Sequence, residues 1–175
     1  MKLAAAALLI MLSMAGPSPA GPTVDIVTVL EEPEPGDMVR HDPAAGETLK
    51  LHLVFSDFDP GSGLSGCAFR LDRTFGGTLL SMTNLLPGLV IGDPETGCML
   101  SAFECVYPDT SGRVLAAELL YVCSGEPGTI GVAPHPVEGG VLTDCDVALV
   151  EWEGGGRLGI GRDVEGGSSE QAPGE

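Results

Sequence analysis

From Thr48 to Ser56 the chain reads Thr-Leu-Lys-Leu-His-Leu-Val-Phe-Ser, with Leu49, Leu51, Leu53 and Phe55 on one side of an extended backbone and Lys50 and His52 on the other. A period of two sends alternate side chains to opposite faces of a strand, whereas a helix would scatter these residues around its axis. The segment predicts a half-buried β-strand. Gly or Pro then returns at intervals of roughly eight to twelve residues along the body of the chain, a punctuation that long helices do not tolerate and that short strands joined by turns require.

Further strands are expected over Thr23 to Leu30, Cys67 to Leu71, Thr78 to Asn84, Cys98 to Val106, Thr129 to Ala133 and Val147 to Trp152, with Arg157 to Ile160 as a weak edge; Leu86-Pro87-Gly88 breaks the strand pattern after Asn84, before the short apolar run Leu89 to Ile91. Val114 to Val122 suits a helix turn as well, but its short span between glycine-bearing turns favours a strand. Glu31 to Gly36 and Asp57 to Gly63 read as loops. The expected fold class is all-β: an antiparallel two-sheet sandwich of about eight or nine strands. It would occupy residues 21–153, followed over 154–175 by a flexible Gly-rich acidic tail that buries too little to offset its ordering entropy.

Residues 1–20 read as a signal peptide: Lys2 gives a positive start, Leu3 to Met14 is apolar or small apart from Ser13, and Ser18-Pro19-Ala20 offers a cleavage site, with Ser13-Met14-Ala15 as the alternative. The apolar run is too short to span a bilayer, and no Cys follows it to take a lipid. The expected location is secreted or periplasmic, with no membrane span. The formal charge is −17, and Lys2 departs with the signal. Only Arg40, Lys50, Arg70, Arg73, Arg113, Arg157 and Arg162 then remain as scattered cations, which argues against nucleic acid or an anionic leaflet as partner.

An exported chain with Cys67, Cys98, Cys105, Cys123 and Cys145 is expected to hold disulfides. Cys123 with Cys145 is the favoured pair because each ends or begins an apolar run, and a second bridge would join two of Cys67, Cys98 and Cys105. Zinc is disfavoured, since no Cys-x-x-Cys occurs and no His stands near a Cys at ligand spacing.

Chemistry-bearing motifs are few. Ser65 lies between Gly63 and Gly66, but Cys67 breaks the nucleophile-elbow pattern and no helix follows. Gly154, Gly156 and Gly159 match a dinucleotide pattern by count alone. Asp57 and Asp59 could point oxygens at calcium from a Gly/Ser-rich turn, with Asp72 or a backbone carbonyl as a further donor, although Gly61 and Ala68 break the EF-hand pattern. Otherwise they are turn residues. His41, His52 and His135 share no motif, and Trp152 reads either as a ligand-stacking ring or as a strand-end core residue.

The segments Gly66-Cys67-Ala68-Phe69-Arg70-Leu71, Leu79-Leu80, Gly112-Arg113-Val114-Leu115-Ala116-Ala117-Glu118-Leu119 and Gly128-Thr129-Ile130, taken in order, resemble the cohesin-like branch of the immunoglobulin-like sandwiches. Val132 to Val137 and the later Asp144-Cys145 are likewise similar to secreted bacterial proteins built on this plan. The resemblance implies a sandwich that binds a protein on a sheet face, as cohesins bind dockerins; the five cysteines depart from the family pattern, and no binding residue is carried over. The expectation is an exported, non-catalytic module that binds an extracellular protein or polymer or serves a structural role, with no cofactor unless calcium. The alternatives are a small secreted hydrolase with a loop-built site and a calcium-stabilised envelope subunit.

Overall fold

The structure, a computed structural model, describes residues 21–28, 42–154 and 157–161. The expected signal peptide at 1–20, the expected loop at 31–36, His41 and the chain beyond Gly161 lie outside these residues. Twelve strands form two sheets: β1 (Thr23–Val27), β2 (Thr48–Ser56), β3 (Leu64–Arg73), β4 (Gly77–Asn84), β5 (Val90–Asp93), β6 (Gly97–Val106), β7 (Val114–Cys123), β8 (Gly128–Pro134), β9 (Val141–Thr143), β10 (Leu149–Glu151), β11 (Glu153–Gly154) and β12 (Leu158–Ile160). The smaller sheet has the order β11-β1-β2-β7-β4; the larger runs β10-β9-β3-β6-β5, with β8 also beside β3 and β12 beside β8. All pairings are antiparallel except β1 with β11.

The alternation in β2 does what its period dictates. Leu49, Leu51, Leu53 and Phe55 are buried and meet Val114, Ala116, Leu119 and Tyr121 of β7, while Cys67, Phe69 and Leu71 of β3 and Cys98 and Leu100 of β6 close the core from the other sheet. Val114–Cys123 is a strand, not a helix, because both of its edges are paired, with β2 and with β4.

At the pole where β3 ends, Phe75 and Tyr121 meet edge to face at 5.2 Å. The Arg73 guanidinium covers both rings, 5.6 and 5.7 Å from their centroids, and is anchored by an ion pair with Glu95. The Glu95 turn is itself set by Asp93, whose Oδ1 accepts from the amides of Glu95 and Thr96.

The larger sheet holds an interruption. Phe69 of β3 faces Pro134 of β8, and the next residue back, Ala68, faces Val141 of β9. Residues 135–140 leave the sheet as a tight hairpin closed by reciprocal bonds between His135 and Gly139. His135, next in line to meet Ala68, bonds Gly139 instead, so the β8 ladder stops at this break. Trp152 fills it: its Nε1 donates to the Ala68 carbonyl at 3.3 Å, and the indole is only 6% exposed. Trp152 is therefore a core residue rather than a stacking platform.

Four features differ from the sequence expectation. There are twelve strands rather than eight or nine, the surplus being pieces of two or three residues that cap strand edges. Val141–Thr143 is a strand too short to show periodicity. The packed body extends past Glu153, because Leu158–Ile160 pairs with β8 and buries Ile160.

The fourth is the disulfide, which joins Cys105 to Cys145 and not Cys123 to Cys145. Cys123 ends β7 opposite Gly77, at the pole where β3 finishes, whereas Cys145 lies beside Gly63 at the pole where β3 begins. No second bridge forms: Cys67, Cys98 and Cys123 are buried thiols. Cys67 faces Leu100 while Cys98 faces Phe69, a diagonal relation of about 7–8 Å that a disulfide spans only with backbone movement.

Candidate functional site

The outer face of the larger sheet carries much of the exposed apolar surface among the described residues, with Leu80 in β4 and Leu85 just after it exposed on the smaller sheet. One row across it reads Leu149, Thr143, Gly66 and Ser101, and the next reads Glu151, Val141, Ala68, Met99 and Ile91. Leu89 continues the first row, since its carbonyl accepts from the Ser101 amide at 2.9 Å. The middle of the first row is small, and its ends are large. Leu89 is 55% exposed, Ile91 56%, Phe103 74% and Leu149 75%. β10 and β6 are three strand spacings apart, roughly 14 Å, so the face is a shallow trough with a floor at Gly66 and apolar walls on both sides. A Cβ at Gly66 would sit 3.1 Å from the Leu100 carbonyl, a tight contact that glycine avoids.

Phe103 stands out because β6 bulges beside it. Between the pairs Gly66 with Ser101 and Leu64 with Val106, β3 contributes Ser65 alone while β6 contributes Ala102, Phe103, Glu104 and Cys105. A bulge of this kind re-aims side chains away from the ladder. It is closed at its far end by Cys105–Cys145, and Gly63 leaves room for the bridge, since a Cβ there would lie 2.7 Å from the Cys145 Sγ.

The outer face of the smaller sheet has the opposite character. Lys50 Nζ lies 3.0 Å from Glu118 Oε2 and His52 Nε2 lies 3.7 Å from the same oxygen, with Ser81 and Thr83 across from β7. The bond from Lys50 holds the Glu118 carboxyl below its ordinary range.

The residues singled out from the sequence are dispersed. The Ser65 hydroxyl donates to the Thr143 and Asp144 carbonyls at 3.1 and 2.8 Å, which fixes it as a strand-to-turn tie. His52 sits on the smaller sheet. His135 caps its own hairpin, its Nδ1 accepting from the amides of Val137 and Glu138 at 3.3 and 3.1 Å. Ser65 is placed with neither His52 nor His135, and His41 lies outside the described residues. Asp57 Oδ2 accepts from the Thr23 hydroxyl at 2.7 Å, Asp59 closes a turn through its carbonyl to Ser62, and Asp72 pairs with Arg157 at 2.7 Å. The third donor considered for calcium is thus engaged on the sheet face, and among the described residues no group of three His, Cys, Asp or Glu converges as a metal site. The sequence reading missed this apolar face, whose signal was Leu89, Ile91 and Phe103 as exposed apolar residues near a short strand and at a bulge.

The chain has a cohesin-like β-sandwich fold. It superposes on a cohesin module from a family 33 glycoside hydrolase of Clostridium perfringens with a TM-score of 0.58 at 8% identity, covering 82% of this chain and 99% of that one. The sixth cohesin of scaffoldin B from Acetivibrio cellulolyticus, solved with a dockerin, gives 0.48 at 11% identity over 83% of this chain and 100% of that one. The seventh ScaB type I cohesin of Pseudobacteroides cellulosolvens gives 0.48 at 11%, over 85% and 97%. At such identities the likeness is one of fold. No family model and no curated protein sequence matches the chain.

Proposed function

We propose that the protein is an exported, non-catalytic binding module that docks another extracellular protein on the outer face of its larger sheet. The observation that carries this reading is the trough itself: Leu89, Ile91, Phe103 and Leu149 expose apolar surface around a small-residue floor, while the outer face of the smaller sheet carries the Lys50–Glu118 ion pair with His52 beside it. A contiguous exposed apolar patch with a polar rim marks an interaction site. Glu104 and Glu151, both exposed, supply an acidic rim, which suits a basic partner and excludes anionic polymers. The apolar amino-terminal run and the disulfide support export to the secreted or periplasmic space, and the cohesin-like fold supports a protein partner.

The test is affinity capture from the extracellular fraction of the producing organism, with the mature protein and an Ile91→Glu variant immobilised side by side. A partner retained by the first and lost from the second supports the reading. Equal capture by both, or turnover of a serine-directed ester probe, counts against it.

A further inference from the structure

We propose that the Cys105–Cys145 disulfide is a redox latch on the docking face: oxidised, it holds Phe103 and the Val147 to Leu149 segment as one end of a site for a polypeptide stretch that carries an apolar side chain between Lys or Arg residues. The proposal deepens the docking reading and rests on it.

The latch joins two elements that are otherwise weakly held. On one side is the four-residue bulge of β6, opposed by Ser65 alone, with Phe103 anchored through its amide to the Pro87 carbonyl at 2.8 Å. On the other is the turn after β9, a strand of only three residues. In that turn Val147 has φ 64°, a left-handed conformation that a β-branched residue adopts only when its surroundings enforce it. Asp144 does the enforcing: its Oδ1 accepts from the amides of Asp146 and Ala148 at 2.9 and 2.8 Å, and its carbonyl accepts from Val147 N at 3.2 Å. The strained turn leaves Val147 79% exposed beside Leu149. Apart from the bridge, the Ser65 hydroxyl is what ties this turn to β3.

Charge fixes the kind of partner. Glu104 precedes Cys105 and Asp144 and Asp146 flank Cys145 in the chain, whereas the cations of this face, Arg70 and Arg157, gather near Asp72 at the far end of β3. The latch end is therefore acidic around an apolar ridge, complementary to an apolar anchor flanked by cations. A dithiol reductant attacks one sulfur of the bridge and leaves as its own disulfide. The two electrons and two protons it gives up convert Cys105 and Cys145 to thiols, and the bulge and the turn are freed to move apart.

The experiment compares oxidised protein, protein reduced and alkylated at Cys105 and Cys145, and a Cys105→Ala/Cys145→Ala variant, each checked for retained protection of the Leu51 and Phe55 amides. Hydrogen exchange is read over 102–106 and 144–149. Binding is read by fluorescence anisotropy with labelled peptides bearing a central Phe between lysines, and with glutamate counterparts. The expected result is faster exchange in both segments without the bridge and binding of the lysine peptide at least about tenfold weaker, matched by Phe103→Ala in the oxidised protein. Unchanged exchange overturns the latch. So does faster exchange with unchanged affinity, and in either case the docking reading stands. If oxidised protein favours neither peptide over the other, the partner chemistry proposed here is wrong, and the docking reading is then judged by the capture experiment alone.

Discussion

The indole Nε1 of Trp152 donates to the carbonyl of Ala68, 84 residues earlier in the chain, at the point in the larger sheet where β9 takes over from β8 beside β3. Removing the donor while keeping a ring forfeits one buried hydrogen bond to a carbonyl that β9 also pairs. Trp152→Phe should cost about 0.5–1.5 kcal/mol, and Trp152→Ala about 3–5 kcal/mol as the cavity is added. Urea denaturation of the three proteins checks both, and a Trp152→Phe protein as stable as the parent would show that the carbonyl finds another donor.

Tyr121 presents the reverse case. Its ring is packed against Phe75, yet its hydroxyl is buried among the described residues with no hydrogen-bond partner. Burial and the Glu95 carboxylate push its ionisation far above the ordinary range. Tyr121→Phe discards an unsatisfied group at constant shape and should raise stability by about 1 kcal/mol. A loss on denaturation would reveal a bound water or a partner for the oxygen.

The thiols predict an alkaline limit. Burial lifts Cys98 from its ordinary 9.0 to about 11, with Asp93 adding to the effect, and lifts Cys67 further through burial and then Cys98. In the unfolded chain these groups lose protons near pH 9, while the folded chain keeps them, so the unfolded state binds fewer protons as pH rises. Stability should be full below pH 9 and fall between 9 and about 11. The melting temperature of a Cys67→Ala/Cys98→Ala protein, compared with its own value at pH 8, should fall less over that window. Mass analysis after denaturing alkylation should find one disulfide and three alkylated cysteines.

Gly63 is needed for space. A methyl group there would press on the Val106 carbonyl at 2.6 Å and on both bridge sulfurs, so Gly63→Ala should lower the yield of oxidised protein and cut stability by about 2–4 kcal/mol where the bridge fails to close. Non-reducing peptide mapping reads the pairing directly, and full closure of Cys105 with Cys145 in the variant would contradict this account of the site.

The core was legible in the sequence wherever a strand was long enough to show its period. Leu49 to Phe55 and Cys67 to Leu71 declare their inner faces because each is paired on both sides and buried on one. The outer apolar face was not legible, because it depends on which outer residues become neighbours. Leu149, Gly66 and Ser101 share a row only through the register of four strands. Cys105 and Cys145 meet for a similar reason: a bulge displaces one and a turn after a three-residue strand displaces the other, and neither event has a periodic signature. The Cys123 pairing failed because apolar runs mark strands without saying at which pole they end.

The most direct test of the central claim is a hydrogen-exchange footprint of the oxidised protein bound to its captured partner. The account predicts added protection over residues 66–68, 89–91 and 99–103 on the larger sheet, with residues 50–52 and 118–120 unchanged. Protection concentrated around Lys50 and Glu118, with the trough left as exposed as in the free protein, would contradict it.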